Sequence, residues 1–293
     1  MRASRLCALA LVPLVVISDA ALPASATSTR VLVFSRTTGF RHASIEPAVA
    51  AIERLGEQHH LEVDASEDPA VFTPEKLRDY AAVVFVSTTG NPISDPAQHQ
   101  ALRQYIERGG GFVGVHAASD QDADSRASWP WFGVLLGAYF GGHPLYRTRP
   151  SGDESCAVGE VVSCHTGVVT IEDPRHPSTR GGRRTWGVYD EFYGFLTNPR
   201  PEVHVLATID EHSYLDDPNR LEFGPGAMGE DHPIAWCHRV GRGRSFYTAL
   251  GHDAPLFSDR RYLSHLLGGI LWAAGRAAGS CAAPRGPSRD RGA

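Results

Sequence analysis

Three unbroken apolar runs, Val31 to Phe34, Ala81 to Val86 and Phe112 to Val115, constrain this chain most. None alternates with polar residues, so each reads as a strand covered on both faces. Helical patterns fill the intervals. Ile45, Val49, Ile52 and Leu55 share one side of a helix behind Ser44, a candidate N-cap. Thr73-Pro74 opens a short helix with Thr73 as its cap, and Pro96 to Arg108 is a helix stopped by Gly109-Gly110-Gly111. Strands that alternate with helices are joined by right-handed crossovers. The expected product is a mostly parallel α/β sheet with helices on both faces, flavodoxin-like in class. The second half is less regular. Ser128 to Leu136 has helical character, Ala157 to Ile171 reads as two strands and Val203 to Ile209 as another, which adds a β-rich middle region. Ile234 to Val240 and Ser245 to Leu250 flank a turn at Gly241-Arg242-Gly243-Arg244, so a hairpin with a solvated arginine tip is expected. Asp259 to Ala274 closes the pattern as a helix.

Composition narrows the class further. A chain of 293 residues, 42% apolar and 21% charged, suits one large globular domain, expected over 27–278, with a disordered tail over 279–293. A net charge of −5 gives no footprint for nucleic acid. Residues 1–26 combine Arg2 and Arg5, an apolar run from Leu6 to Ile17, and Ala24-Ser25-Ala26. That order reads as a cleaved signal peptide, and the expectation is a secreted protein with Thr27 as its new start. The run is short for a bilayer and no other stretch qualifies, so no transmembrane segment is expected after cleavage. In an oxidising compartment Cys156 and Cys164 are a plausible hairpin disulfide. Cys237 falls on a strand and Cys281 in the tail, and none of the four has the C-x-x-C spacing of a structural zinc site.

Ligands of open α/β sheets collect at the carboxyl ends of the strands. Those ends are polar here: Ser35 to His42, Ser87 to Pro92, His116 to Asp120, and Gly251-His252-Asp253. Two of these loops repeat Thr-Thr-Gly, offering N–H groups and hydroxyls to an anionic or polyhydroxyl ligand. His116 directly follows an apolar strand and precedes small residues, the layout of a strand-turn-helix elbow. A hydrolase elbow would hold Ser or Cys. Here an imidazole takes that place, although Ser119 lies close by.

Five stretches carry a family resemblance: Gly39 to Ile45 (GFRHASI), Gly110 to Asp120 (GGFVGVHAASD), Asp190 to Tyr193 (DEFY), His232 to Trp236 (HPIAW) and Gly241 to His252 (GRGRSFYTALGH). In that order they resemble the ThuA-like family, named after a trehalose-utilisation protein and similar in fold to class I glutamine amidotransferases. The resemblance sets His116 at the elbow cysteine of those amidotransferases. It sets Gly90 at their oxyanion-loop glycine, and His252 at their catalytic histidine, with Asp253 near its acidic partner. Without the thiol there is no thioester route, so glutaminase activity is not expected.

What remains is a set of imidazoles and carboxylates. Catalytic roles are expected for His116, His252 and Glu191, as acid and base. Substrate-binding roles are expected for Arg41, His42, Gly90, Asp120, His143 and Trp131. A divalent metal such as zinc would draw on His42, His116, His143 and His252, against the rival reading of a metal-free acid–base pocket. Trp129 and Trp131 suit a sugar face or, more simply, core filling. His59, His60, His99, His176, His204 and His212 read as solvated or structural. The resemblance implies carbohydrate catabolism, by a hydrolase, lyase or isomerase acting on a disaccharide or keto-sugar. The alternatives are a non-catalytic carbohydrate-binding module and a metal-dependent hydrolase.

Overall fold

The computed structural model describes residues 28–147, 156–158, 161–217, 219–221 and 226–282. The expected signal peptide (1–26) and most of the expected tail (283–293) lie outside the described residues. Strands β1 (Thr29–Phe34), β2 (Leu61–Ser66), β3 (Ala82–Val86) and β4 (Gly111–Val115) alternate with helices α1 (Ile45–His59), α2 (Pro74–Leu77) and α3 (Pro96–Glu107). Two helices follow, α4 (Ala123–Ser128) and α5 (Pro130–Leu136). The middle region holds β5 (Phe140–Gly142), β6 (Leu145–Tyr146), β7 (Ala157–Val158), β8 (Val161–Val162), β9 (Cys164–Ile171), β10 (Thr185–Glu191) and β11 (Gly194–Phe195). Then come β12 (His204–Asp210), α6 (His212–Leu215), β13 (Arg220–Leu221), β14 (Pro233–Val240), β15 (Gly243–Thr248) and α7 (Arg260–Ala273).

One mixed sheet organises the chain, in the order β10-β9-β12-β14-β15-β4-β3-β1-β2. From β15 to β2 every neighbour is parallel, the α/β half foreseen from the apolar runs. From β15 outward to β10 every pairing is antiparallel, so the expected hairpin and the β-rich region extend the same sheet. Small sheets β11-β5 and β13-β6-β8-β7 accompany it. Both faces are covered. On β15, Phe246 lies under Gly269 of α7, whereas the Ser245 hydroxyl donates to the Leu135 carbonyl of α5 at 2.5 Å. Successive residues of a strand face opposite ways, so these contacts put α7 on one side and α5 on the other.

Two details depart from expectation. Ser44 does not cap α1; it is itself helical, and its hydroxyl donates to the Gly251 carbonyl at 2.8 Å. Thr73 does cap α2, accepting from the Lys76 N–H at 3.3 Å. The expected Cys156–Cys164 disulfide is present. A second one joins Cys237 of β14 to Cys281, which is buried although it falls where a tail was expected. The Trp272 indole N–H also donates to the Gly279 carbonyl there, at 3.0 Å.

Candidate active site

The elbow foreseen at His116 is real. The residue has φ 49°, in the left-handed region that a β-substituted side chain enters only under strain, and it opens one 3-10 turn through Ser119. Surrounding bonds hold it there: the Tyr247 hydroxyl donates to the His116 carbonyl at 2.8 Å and lies 2.8 Å from Ser119 Oγ. Ser119 is thus buried in a backbone brace, not poised as a nucleophile. His116 Nδ1 sits 2.7 Å from the Ala249 carbonyl. A carbonyl only accepts, so Nδ1 carries the proton and Nε2 presents a lone pair.

That lone pair meets two other groups. His252 Nδ1 lies 3.3 Å from His116 Nε2 and 3.2 Å from Glu191 Oε2, and His116 Nε2 is 3.5 Å from the same oxygen. The second Glu191 oxygen, Oε1, is 3.5 Å from His143 Nε2. His42, delivered by the loop before α1, completes the group. Its ring centroid is 4.9 Å from that of His116 and 5.1 Å from that of His252. One donor atom from each of His42, His116, Glu191 and His252 lies within 4.8 Å of the other three.

The loop after β15 is pinned from both sides. Gly251 adopts φ 130°, where a Cβ would come 2.8 Å from the Tyr262 hydroxyl, so glycine is required. The N–H groups of Gly251 and Asp253 donate to Asp190 Oδ2 and Oδ1 at 2.7 and 2.9 Å. Neighbouring strand residues divide the work: Asp190 fixes the His252 loop, and Glu191 enters the cluster.

Burial sets the electrostatics. It lowers His116, and with the repulsion of His116 and His252 it takes His42 down to about 2, so both imidazoles are neutral near pH 7. Burial also opposes the charge on Glu191, but the adjacent His252 outweighs it and holds the carboxylate well below its ordinary range. Asp190 is pushed up to about 7 by burial, despite the backbone N–H groups it accepts from. Asp120 is raised to about 6 by burial and then by Glu191.

A cavity of about 270 Å³ opens onto this cluster. His42, Glu191 and His252 border it, Asp120 and His143 supply further polar groups, and Phe40, Phe140, Leu145 and Tyr193 make it apolar. The Tyr193 ring packs 4.1 Å from those of both His116 and Phe140. Sequence reasoning missed the four apolar residues. Phe40 and Tyr193 lie inside the GFRH and DEFY stretches and were legible there; Phe140 and Leu145 merely flank the Gly-Gly-His143-Pro segment.

Three expected site residues lie elsewhere. Arg41 is a surface residue paired with Glu46 at 2.7 Å and Glu67 at 2.8 Å, facing away from the cavity. Gly90 does not offer its N–H to a ligand, because that group donates to the Asp120 carbonyl at 2.8 Å. The neighbouring loop is occupied in the same way: Thr38 and Gly39 donate their N–H groups to the Thr89 carbonyl at 3.0 and 3.2 Å. The paired Thr-Thr-Gly segments therefore bind one another and not an anion. Trp131 stacks beside Trp129, which stacks on His99 at 3.9 Å, in a separate groove beside α3. Of the expected metal set, His42, His116 and His252 gather with Glu191, while His143 Nε2 lies 3.5 Å from the other Glu191 oxygen.

Residues 30–273 match the family described as ThuA, trehalose utilisation. The chain belongs to the ThuA family. Among solved structures, this ThuA-family chain is similar to a putative ThuA-like protein from Bacteroides uniformis. The two are 23% identical with a TM-score of 0.66, over 87% of this chain and 94% of that one. A putative ThuA-like protein from Parabacteroides merdae is 20% identical with a TM-score of 0.61, over 86% and 92%. A cytoplasmic protein from Salmonella typhimurium LT2 is 12% identical with a TM-score of 0.53, over 84% and 99%. At these identities the likeness is one of fold. No curated protein is matched by the sequence.

Proposed function

We propose that this ThuA-family protein is a secreted enzyme of carbohydrate catabolism that acts on a disaccharide or keto-sugar in the Glu191 cavity. One observation carries the reading: a buried carboxylate within 3.5 Å of three imidazoles borders a cavity with aromatic sides. A fold has no need of so many ionisable groups in one place, and their cost in burial is justified where they do chemistry. The cavity volume suits a single sugar ring, and Phe40, Phe140 and Tyr193 offer it apolar faces. Asp120, raised to about 6, changes protonation close to neutral pH and serves as the proton-transfer group on the cavity side. His143 lines the cavity beside Glu191, with Nε2 3.5 Å from Oε1. Glu191, His116 and His252 form the polar end against which a substrate oxygen would rest. The described family role in trehalose utilisation agrees with such a substrate. Secretion is supported by the N-terminal pattern and by two disulfides.

The test is incubation of the mature protein with 3-keto-trehalose and 3-keto-glucosides, followed by NMR. Turnover by wild type and its loss in Glu191→Gln are expected. Equal rates in the two proteins, or no turnover of any substrate in the series, would overturn the assignment. Tight binding without turnover would instead identify a carbohydrate-binding module.

A further inference from the structure

We infer that His42, His116, Glu191 and His252 hold one divalent transition-metal ion, of the zinc class, at the inner end of the cavity. Three of the donor atoms form a triangle with edges of 3.2, 3.3 and 3.5 Å. Tetrahedral ligands about 2.0–2.1 Å from a zinc ion stand roughly 3.3–3.4 Å apart, so a metal fits this triangle with little movement. Without a cation the triangle is poorly matched. His116 Nε2 and Glu191 Oε2 are both acceptors, and one proton on His252 Nδ1 serves only one of them at a time.

The fourth group adds an independent observation. His42 is 4% exposed, and among the described residues its Nδ1 has no hydrogen-bond partner. A buried imidazole nitrogen left in that state is costly unless something absent from a bare protein chain binds it. One ring nitrogen of His42 lies within 4.8 Å of the other three donor atoms.

The surroundings also resemble a metal shell. The Ala249 carbonyl fixes the His116 tautomer by taking its Nδ1 proton, the usual outer partner of a ligating histidine. Asp190 immobilises the backbone on both sides of His252. Three imidazoles and one carboxylate suit zinc and related ions better than magnesium or calcium, which prefer oxygen. Of the four ligands, His42, Glu191 and His252 border the cavity, so a ligand oxygen there could reach the ion. The site is the one already assigned to the sugar, but ion binding does not depend on which substrate is turned over.

The experiment uses the full mature chain with both disulfides intact, stripped with chelator and titrated with zinc sulfate by calorimetry. A parallel titration with cobalt(II) chloride is followed by visible absorption. One ion per chain, a cobalt spectrum of low-coordinate intensity and a zinc-dependent rise in melting temperature are expected. His42→Ala and His252→Ala should weaken zinc by roughly 100-fold or more, since losing even an outer partner costs about 10–100-fold. His212→Ala, an exposed histidine outside the cluster, should bind as wild type does. Substoichiometric binding, or wild-type affinity in His42→Ala and His252→Ala that remain folded by circular dichroism, would overturn the inference. Stoichiometric zinc without sugar turnover would leave it standing and remove the proposed function. Sugar turnover by protein that cannot bind zinc would do the reverse.

Discussion

Replacing Cys237 and Cys281 by Ala, and separately Cys156 and Cys164, should impair the protein in opposite orders for stability and for activity. The first bridge spans 44 residues and the second 8. If a disulfide acts by restricting the unfolded chain, the loop-entropy relation gives about 4 kcal/mol for the long span and about 2.5 kcal/mol for the short one. For a domain of this size each kcal/mol moves the melting temperature by about 2–4 °C. The long bridge is therefore worth roughly 8–16 °C and the short one roughly 5–10 °C. Activity should rank the other way. The sulfurs of Cys156 and Cys164 and a nitrogen of His252 all lie within 4.8 Å of one another, and Cys164 is the register partner of Glu191. Loss of that bridge loosens the packing around two members of the cluster. Calorimetric melting of the two double variants, with zinc affinity and sugar turnover measured well below either transition, separates the effects. If turnover and zinc affinity simply follow melting temperature, or if the short-span variant melts lower, the reasoning is refuted.

Other outcomes follow from the same geometry. Glu191→Gln keeps the shape of the side chain and removes the charge, so turnover should fall by at least about 100-fold, read from initial rates. Asp190→Ala removes the acceptor of two buried backbone N–H groups and should cost about 3 kcal/mol in urea unfolding. Trp131→Ala should leave affinity for sugar derivatives unchanged by calorimetry, because the residue lies in a different groove from the cavity. His265 is lowered to about 4 and His176 to about 3 by burial. Below pH 6.5 the unfolded chain takes up protons that the folded chain refuses, so stability is full above that pH and declines as pH falls toward 4 and 3. His265 alone should account for roughly 3 kcal/mol of that loss. A denaturation midpoint that stays level between pH 6.5 and 4 would contradict it.

The parallel half of the sheet was legible because its strands are continuous apolar runs, a pattern that only cover on both faces explains. His116 was legible for a related reason: polarity appears abruptly where the strand ends. The antiparallel half was harder to read. Strands such as β9 and β10 have one side less protected and carry residues as polar as Thr166 and Asp190, so their runs are broken. The misplaced residues failed through partners distant in sequence. Arg41 is claimed by Glu67 and the Gly90 N–H by Asp120, and neither pairing leaves a local mark. Ser44 has the right residue type for a cap, yet its hydroxyl is needed by Gly251 across the fold. Cys281 follows the last helix among small and polar residues, and nothing near it announces Cys237.

The sheet order has one more consequence. His42 and His116 come from the β1 and β4 ends, Glu191 from the far edge strand β10, and His252 from β15, where parallel pairing gives way to antiparallel. No contiguous fragment of the polypeptide owns the centre. A nascent chain released before β15 is made would contain three of the four ligands with nothing to draw them together. The proposed ion site thus forms only once the last strand has been made.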